Sequence, residues 1–193
     1  HLIYLFYLLQ FKIENDNILV LFNNKNITTP FFSIMVPVFN KVNYLNRSFF
    51  SIFCQFFSSL EIVAVDDCSQ DGSLQFLQNI SYLPITIVQH TQNLGILYSR
   101  VDAIKASKGN YLISLDPDDN LICGLLDTLY MYLRHKHYDI IEYQYYYTQR
   151  NITYKSKLIS SKILLMNQSM IFSDKWPWNW SLWRKCFDRK LLL

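Results

Sequence analysis

Glycine is scarce in this chain, with 4 among 193 residues, and none falls in "PVFNKVNYL", the turn after the first clear apolar strand. That absence removes the glycine-rich phosphate loop expected there of an α/β nucleotidyl-transferring protein. The four cysteines, Cys54, Cys68, Cys123 and Cys186, are far apart and form no C-x-x-C pair. Zinc spacing is therefore missing, and so is the disulfide framework of a small secreted domain, which leaves four free thiols. Basic runs are missing too: 18 Lys and Arg against 15 Asp and Glu give a net charge of +3. With those cations scattered, nucleic acid is not indicated as a partner. Finally, no uninterrupted apolar run reaches the roughly 20 residues of a membrane span. "LIYLFYLLQF" at the start has half that length, and it lacks the basic lead and small-residue cleavage site of a signal peptide. An ordinary strand or helix is expected there, with the end of a truncated membrane anchor as the alternative. Because residue 1 is His, the chain is read as processed or as a fragment.

Apolar residues, by contrast, are abundant: 51% of the chain, with 17% charged, enough for a packed core. The length suits one substantial domain. Residues 1–30 read as an apolar and then polar leader, and residues 31–193 as the domain proper. The Asn-x-Ser/Thr sequons at Asn26, Asn46, Asn79, Asn151, Asn167 and Asn179 follow from an asparagine-rich composition and say little about secretion.

From Phe31 onward, strands and helices alternate. "FFSIMVPVFN" reads as a buried strand and turn, and "YLNRSFFSIFCQFF" as an amphipathic helix with Leu45, Phe49, Ile52, Phe53 and Phe56 on one face. "LEIVAVDDCS" is a second strand, "GSLQFLQNI" a short helix and "PITIVQH" a third strand. "GILYSRVDAIKAS" is helical, with Ile96, Ser99, Ala103 and Ala106 on one side and Gly109 as its stop. "YLISLD" is the fourth strand, "NLICGLLDTLYMYLRHK" a helix with basic residues in its last turn, and "YDIIEYQYYY" a fifth strand. The alternation implies crossover connections, a mostly parallel sheet and helices on both faces. In such sheets ligands bind at the carboxyl ends of the strands. Asp66-Asp67 and Asp116-x-Asp118-Asp119 both fall at those ends.

Two carboxylates one residue apart on a turn suit a hard divalent cation such as Mg²⁺ or Mn²⁺, which relieves their repulsion. A solvated Asp-Pro-Asp turn that caps the next helix is the other reading. "DCSQDGS" matches the first half of a calcium-binding EF-hand loop, but Gln78 stands where the bidentate Glu belongs and a strand precedes it. A polar strand-to-helix turn, or a base-binding role for Asp67, remains.

Four segments, "FSIMVPVFNKVNYLNRSFFSIFCQ", "LEIVAVDDCSQDGS", "QNLGILYSRVDAIKASKGNYLISLDPDDN" and "WSLWRKCFDRKLLL", together resemble glycosyltransferase family 2 over roughly residues 31–193. The resemblance implies the GT-A fold, a Rossmann-like α/β domain with a mostly parallel sheet. It implies a nucleotide-diphospho-sugar donor, expected to be a UDP-sugar, together with Mn²⁺ or Mg²⁺. On that basis Pro37, Val38, Phe39 and Asn40 line the nucleotide pocket, Asp67 pairs with the base and Asp66 supports the same loop. Arg100 approaches the nucleotide or its diphosphate, unless it forms a structural ion pair. Asp116 and Asp118 form the D-x-D metal site, with Asp118 the more direct ligand and Asp119 assisting or capping the next helix.

Two departures qualify the match. Where family members often carry Asn after the arginine and then a small residue, this chain has Val101 and Asp102. The acidic general base, commonly in a Glu-Asp pair, follows the Trp-x-x-x-basic segment in the family. The chain stops at Leu193, so the base is expected beyond it, and Asp174 and Asp188 are read as structural. Trp176, Trp178, Trp180 and Trp183 could stack on an acceptor sugar or pack in a core. The expected activity is inverting, metal-assisted transfer to an acceptor hydroxyl of an unspecified glycan, lipid or protein. The alternative is a non-catalytic nucleotide-sugar-binding fragment or pseudoenzyme. A cytosolic or cytosol-facing membrane-associated location is expected.

Overall fold

The computed structural model describes residues 29–143, 146–149, 152–155 and 185–193. The leader up to residue 28, the four tryptophans and Asp174 lie outside them. Within them, β1 (Phe32–Val38), α1 (Val42–Phe53), β2 (Leu60–Asp66), α2 (Ser73–Asn79), β3 (Ile85–Gln89), α3 (Ile96–Ala106) and β4 (Tyr111–Ser114) follow one another in strict alternation. Then come α4 (Leu125–Leu133), β5 (Ile140–Glu142), β6 (Tyr146–Gln149), β7 (Ile152–Lys155), β8 (Lys185–Asp188) and α5 (Arg189–Leu192).

Six strands form one sheet in the order β3-β2-β1-β4-β8-β5. The β1–β2, β1–β4 and β2–β3 pairs are parallel, and β8 runs antiparallel between β4 and β5. β6 and β7 form a separate antiparallel ribbon. Successive strand residues point to opposite faces, so each strand feeds two packing layers. Phe32, Ile34, Val36 and Val38 meet Leu45, Phe49 and Ile52 of α1, Leu77 of α2 and Leu126 and Leu129 of α4 on one face. Met35, Val63, Val65 and Leu112 meet Ala103 of α3 on the other. Among the described residues the second layer is thinner, because α3 turns small residues, Ser99 and Ala103, to the sheet.

The helices expected from periodicity are present, with local corrections. Phe56 lies beyond the end of α1, is 55% exposed and adopts a left-handed φ of 51°. Ile96 opens α3 but is 53% exposed, since only Ser99 and Ala103 are fully covered. Gly109 does not cap that helix, which ends at Ala106 with an extended Ser107. Instead, a Cβ at Gly109 would stand 2.5 Å from Ser33 Oγ and 2.7 Å from Ser33 N, so only glycine permits this approach to β1. There its N–H donates to Ser33 Oγ at 2.8 Å and to the buried Glu61 carboxylate at 3.0 Å. The basic residues expected in the last turn of α4 fall after it, with Arg134 at the C-cap. "YDIIEYQYYY" is split, because Ile140–Glu142 pairs with β8 in the main sheet while Tyr146–Gln149 pairs with β7. Among the described residues no helix is long and apolar enough to cross a membrane.

Candidate functional site

The parallel register brings the acids to one edge. Val38 aligns with Asp66 across β1 and β2, and Leu115, one residue before Asp116, donates its N–H to Met35 O at 2.9 Å. The loops after β1, β2, β3 and β4 therefore open at the same carboxyl end of the sheet, with the start of α3 beside them.

Asp67 is the best-anchored group there. Its Oδ1 accepts from Leu94 N at 2.8 Å and lies 2.7 Å from His90 Nδ1, while Oδ2 accepts from Gly95 N at 2.8 Å. Gly95, at φ 90°, takes a backbone form that L side chains rarely adopt and turns its amide to the carboxylate. Burial alone would push the Asp67 carboxyl up, but the hydrogen bonds from His90, Leu94 and Gly95 outweigh it and hold the group below its ordinary value. His90 in turn places Nε2 3.2 Å from Asp102 Oδ2, and Asp102 is paired with Lys105 at 3.0 Å. Asp102, which with Val101 departs from the family pattern after the arginine, thus faces the histidine behind Asp67. Val101 is 36% exposed.

Asp66 is fully buried: Oδ2 accepts from Ser69 N at 3.1 Å, whereas Oδ1 has no partner among the described residues. A buried orphan acceptor costs about 1–3 kcal/mol, so water or a ligand donor at this loop would relieve it. Pro37 and Val38 turn their side chains into the sheet packing, and the Val38 carbonyl already accepts from Asp67 N at 2.8 Å. Phe39 is 42% exposed beside them. Asn40 braces the loop, donating its N–H to Ser69 Oγ at 3.0 Å and accepting from Gln70 N at 2.8 Å through Oδ1. Asp71 caps two helices at once: Oδ2 accepts from Val42 N at 2.9 Å and Oδ1 from Ser73 N at 3.0 Å. Within "DCSQDGS", Asp71 is thus engaged in cap bonds of the strand-to-helix turn, whereas the Asp67 carboxylate is held by His90, Leu94 and Gly95 after β3.

The acids after β4 are held differently. Arg100 NH2 donates to Asp116 Oδ1 at 2.9 Å, and Lys41 Nζ donates to Asp118 Oδ2 at 2.7 Å. Arg47 NH2 grips the Asp118 carbonyl at 3.0 Å, and Asp119 N closes the turn onto Asp116 O at 2.9 Å. The Lys41 hydrogen bond, opposed by partial burial, holds the Asp118 carboxyl below its ordinary value. Asp119 is shifted the other way, by desolvation and by the negative charge of Asp116 and Asp118. Two partly exposed carboxylates on one turn, with a third whose ionisation they oppose, are a hard oxygen donor set of the type Mg²⁺ and Mn²⁺ prefer. Asp116 and Asp118 would hold such an ion.

Asp188 sits elsewhere. It pairs in register with Tyr111, at the amino end of β4, where Oδ1 accepts from Lys190 N at 2.7 Å and Oδ2 lies 3.1 Å from His137 Nε2. His137, Asp139 and Asp188 form a cluster, with Tyr111 OH 3.2 Å from His137 Nδ1, at the sheet edge opposite the donor acids. Sequence reasoning missed His90, Lys41 and Arg47. His90 directly follows β3, which was the available signal; the two cations carry none, since their partners lie more than 70 residues away.

Several known proteins are similar to this chain in sequence or in fold. A glycosyltransferase, GlyA, of Streptococcus pneumoniae serotype 4 is 33% identical over 113 residues, 58% of this chain and 15% of that protein. An uncharacterized glycosyltransferase, EpsJ, of Bacillus subtilis strain 168 is 25% identical over 168 residues, 84% of this chain and 49% of that protein. The chain thus spans about half or less of the length of these relatives. The structure of S. aureus TarS 1–349 in complex with UDP-GlcNAc superposes with a TM-score of 0.67 at 24% identity, over 83% of this chain and 46% of that one. At that identity it shows the fold, the mixed α/β GT-A arrangement. The model of the family described as "Glycosyl transferase family 2" matches residues 33–188, which takes in β1, both acidic strand ends and β8, and the chain therefore belongs to glycosyltransferase family 2.

Proposed function

We propose that this chain forms the donor-binding part of an inverting glycosyltransferase that moves a sugar from a nucleotide-diphospho-sugar, a UDP-sugar, to an acceptor hydroxyl. The observation that carries the reading is the convergence of two acidic strand ends, Asp66-Asp67 and Asp116-Asp118, on one edge of a family 2 sheet. Asp67, ionised and oriented by Leu94, Gly95 and His90, receives an N–H of the base. Phe39 offers an apolar surface beside it, and the Val38 and Asn40 region shapes the loop. Arg100 supplies positive charge next to Asp116, where the diphosphate belongs. A divalent ion held by Asp116 and Asp118 would neutralise charge on the departing nucleoside diphosphate.

Inversion by single displacement needs a base to take the acceptor proton, because a hydroxyl is a weak nucleophile. Asp188 does not serve, being the N-cap of α5 and paired with His137 at the far edge of the sheet. S. aureus TarS, the fold neighbour, has been crystallised with UDP-GlcNAc and with UDP, which is consistent with a uridine donor here. A mannosyltransferase of Pyrobaculum calidifontis, with a TM-score of 0.51 at 22% identity, was solved with GDP-Man and Mn²⁺. A panel titration tests the reading. With Mn²⁺ present, UDP should bind at least tenfold more tightly than CDP, GDP or ADP; no preference among the four would remove the uridine assignment, and no binding of any would remove the donor site.

A further inference from the structure

Each carboxylate of the D-x-D turn already has a cation of the chain beside it. For Asp116 that is Arg100, on α3 and one-fifth exposed. For Asp118 it is Lys41, whose ammonium lies 2.7 Å from Oδ2 with both side chains more than one-third exposed. The two differ in freedom. A guanidinium set against the sheet is planar and restrained, whereas the ammonium sits at the end of a flexible four-carbon stem. The root of that stem is fixed: Lys41 N donates to Ser73 Oγ at 3.0 Å, and the neighbouring Asn40 and Val42 amides donate to Ser69 and Asp71. The Asp118 turn is fixed as well, by Arg47 on its carbonyl and by its own Asp116–Asp119 bond. The ammonium is therefore the movable part between two anchored loops.

We propose that Lys41 is an internal counter-cation that competes with the divalent ion for Asp118 and, without metal, contributes positive charge to the diphosphate site. The proposal rests on the donor-site reading above. A lysine ammonium has three donors and no acceptor. One is spent on Asp118, which leaves two for phosphate oxygens arriving at the same turn. A metal ion that binds Asp118 through Oδ2 competes with the ammonium, and the ammonium repels it at Oδ1, so the ion pair is a cost on metal affinity. An exposed pair of this kind is weak and screened by salt, so the cost corresponds to about a two- to fivefold change in affinity. The freed side chain then remains within reach of the diphosphate. The consequence is a nucleotide site whose dependence on metal is softened by a residue of the first loop.

The test uses the 193-residue chain, its Lys41→Met and Lys41→Arg variants, and two probes: Mn²⁺ alone, followed by loss of the free-ion electron paramagnetic resonance signal, and UDP in EDTA, followed by calorimetry. Lys41→Met should bind Mn²⁺ about two- to fivefold more tightly than the parent and bind metal-free UDP several-fold more weakly. Lys41→Arg, which keeps the charge, should stay within twofold of the parent in both. Because the Lys41 side chain is partly exposed and the turn has its own anchors, Lys41→Met should unfold at the parent's temperature. Equal Mn²⁺ affinity with and without the Lys41 ammonium overturns the proposal while leaving the metal site intact. Absence of Mn²⁺ binding in parent and Lys41→Met alike overturns both the proposal and the metal site on which it rests.

Discussion

The two acidic strand ends carry similar residues and are built by different physics. After β2, Asp67 is 3% exposed and is satisfied by two backbone amides and a buried imidazole, all fixed by the fold. After β4, Asp116 and Asp118 are partly or openly exposed and are balanced by the ends of long side chains, Arg100 and Lys41. The first is pre-organised: its charge is settled when the chain folds, so a ligand meets it ready-made. The second is exchangeable, since weak exposed pairs yield readily to a stronger cation. In the proposed donor site, the rigid end would select the base and the adjustable end would accommodate charge on the diphosphate.

Substitution at the rigid end should cost the most. Asp67→Ala strands His90 and the Leu94 and Gly95 amides without their shared acceptor, and about 3–5 kcal/mol of stability should be lost. Chemical denaturation reads this directly; a loss below about 1 kcal/mol would mean the buried bonds do not hold the loop. Gly109→Ala should come next, at about 1–3 kcal/mol, because its Cβ would press on Ser33 of β1. That lesion sits away from the acids, so nucleotide affinity of the folded fraction should stay within twofold, whereas Asp67→Ala should lose it.

The smallest effect sharpens the contrast through pH. Asp67 is held below its ordinary value of 3.8, so its stabilisation is present above that value and is lost as pH falls through the lower folded value. Asp119 is raised, so its stabilisation is present below 3.8 and is lost as pH rises through the folded value. At neutral pH, Asp119→Asn should therefore stabilise the chain, by only a few tenths of a kcal/mol because the residue is exposed and screened. Asp67→Asn should destabilise it and flatten the acid limb of the stability curve. Thermal unfolding from pH 3 to 7 checks both signs; the same sign at the two sites would erase the distinction.

Sequence legibility divides along the same line. Apolar runs such as "FSIMVPV" and "LEIVAVD" announce β1 and β2, and their acidic ends announce the edge where the loops gather, because strand pattern and strand end are local properties. Features set by distant partners were not legible. Gly109 reads as a helix stop until Ser33, 76 residues earlier, is seen against it. β8 inserts antiparallel between β4 and β5 from far downstream, and four residues, "KCFD", carry too short a pattern to declare a strand. Phe56 and Ile96 fit the apolar spacing of their helices, but α1 ends before Phe56, and Ile96 at the start of α3 is left 53% exposed by the described residues. Lys41 and Asp118 are 77 residues apart, and nothing near either one specifies the other.

The proposed donor site is metal-assisted and is built jointly from the acids after β2 and β4. Calorimetric titration of UDP into the chain, with and without Mn²⁺, and into Asp118→Ala under the same conditions, tests it most directly. Mn²⁺ should tighten UDP binding to the parent chain, and Asp118→Ala should abolish this gain while remaining folded. Equal UDP affinity with and without Mn²⁺, or a gain that survives Asp118→Ala, would contradict it.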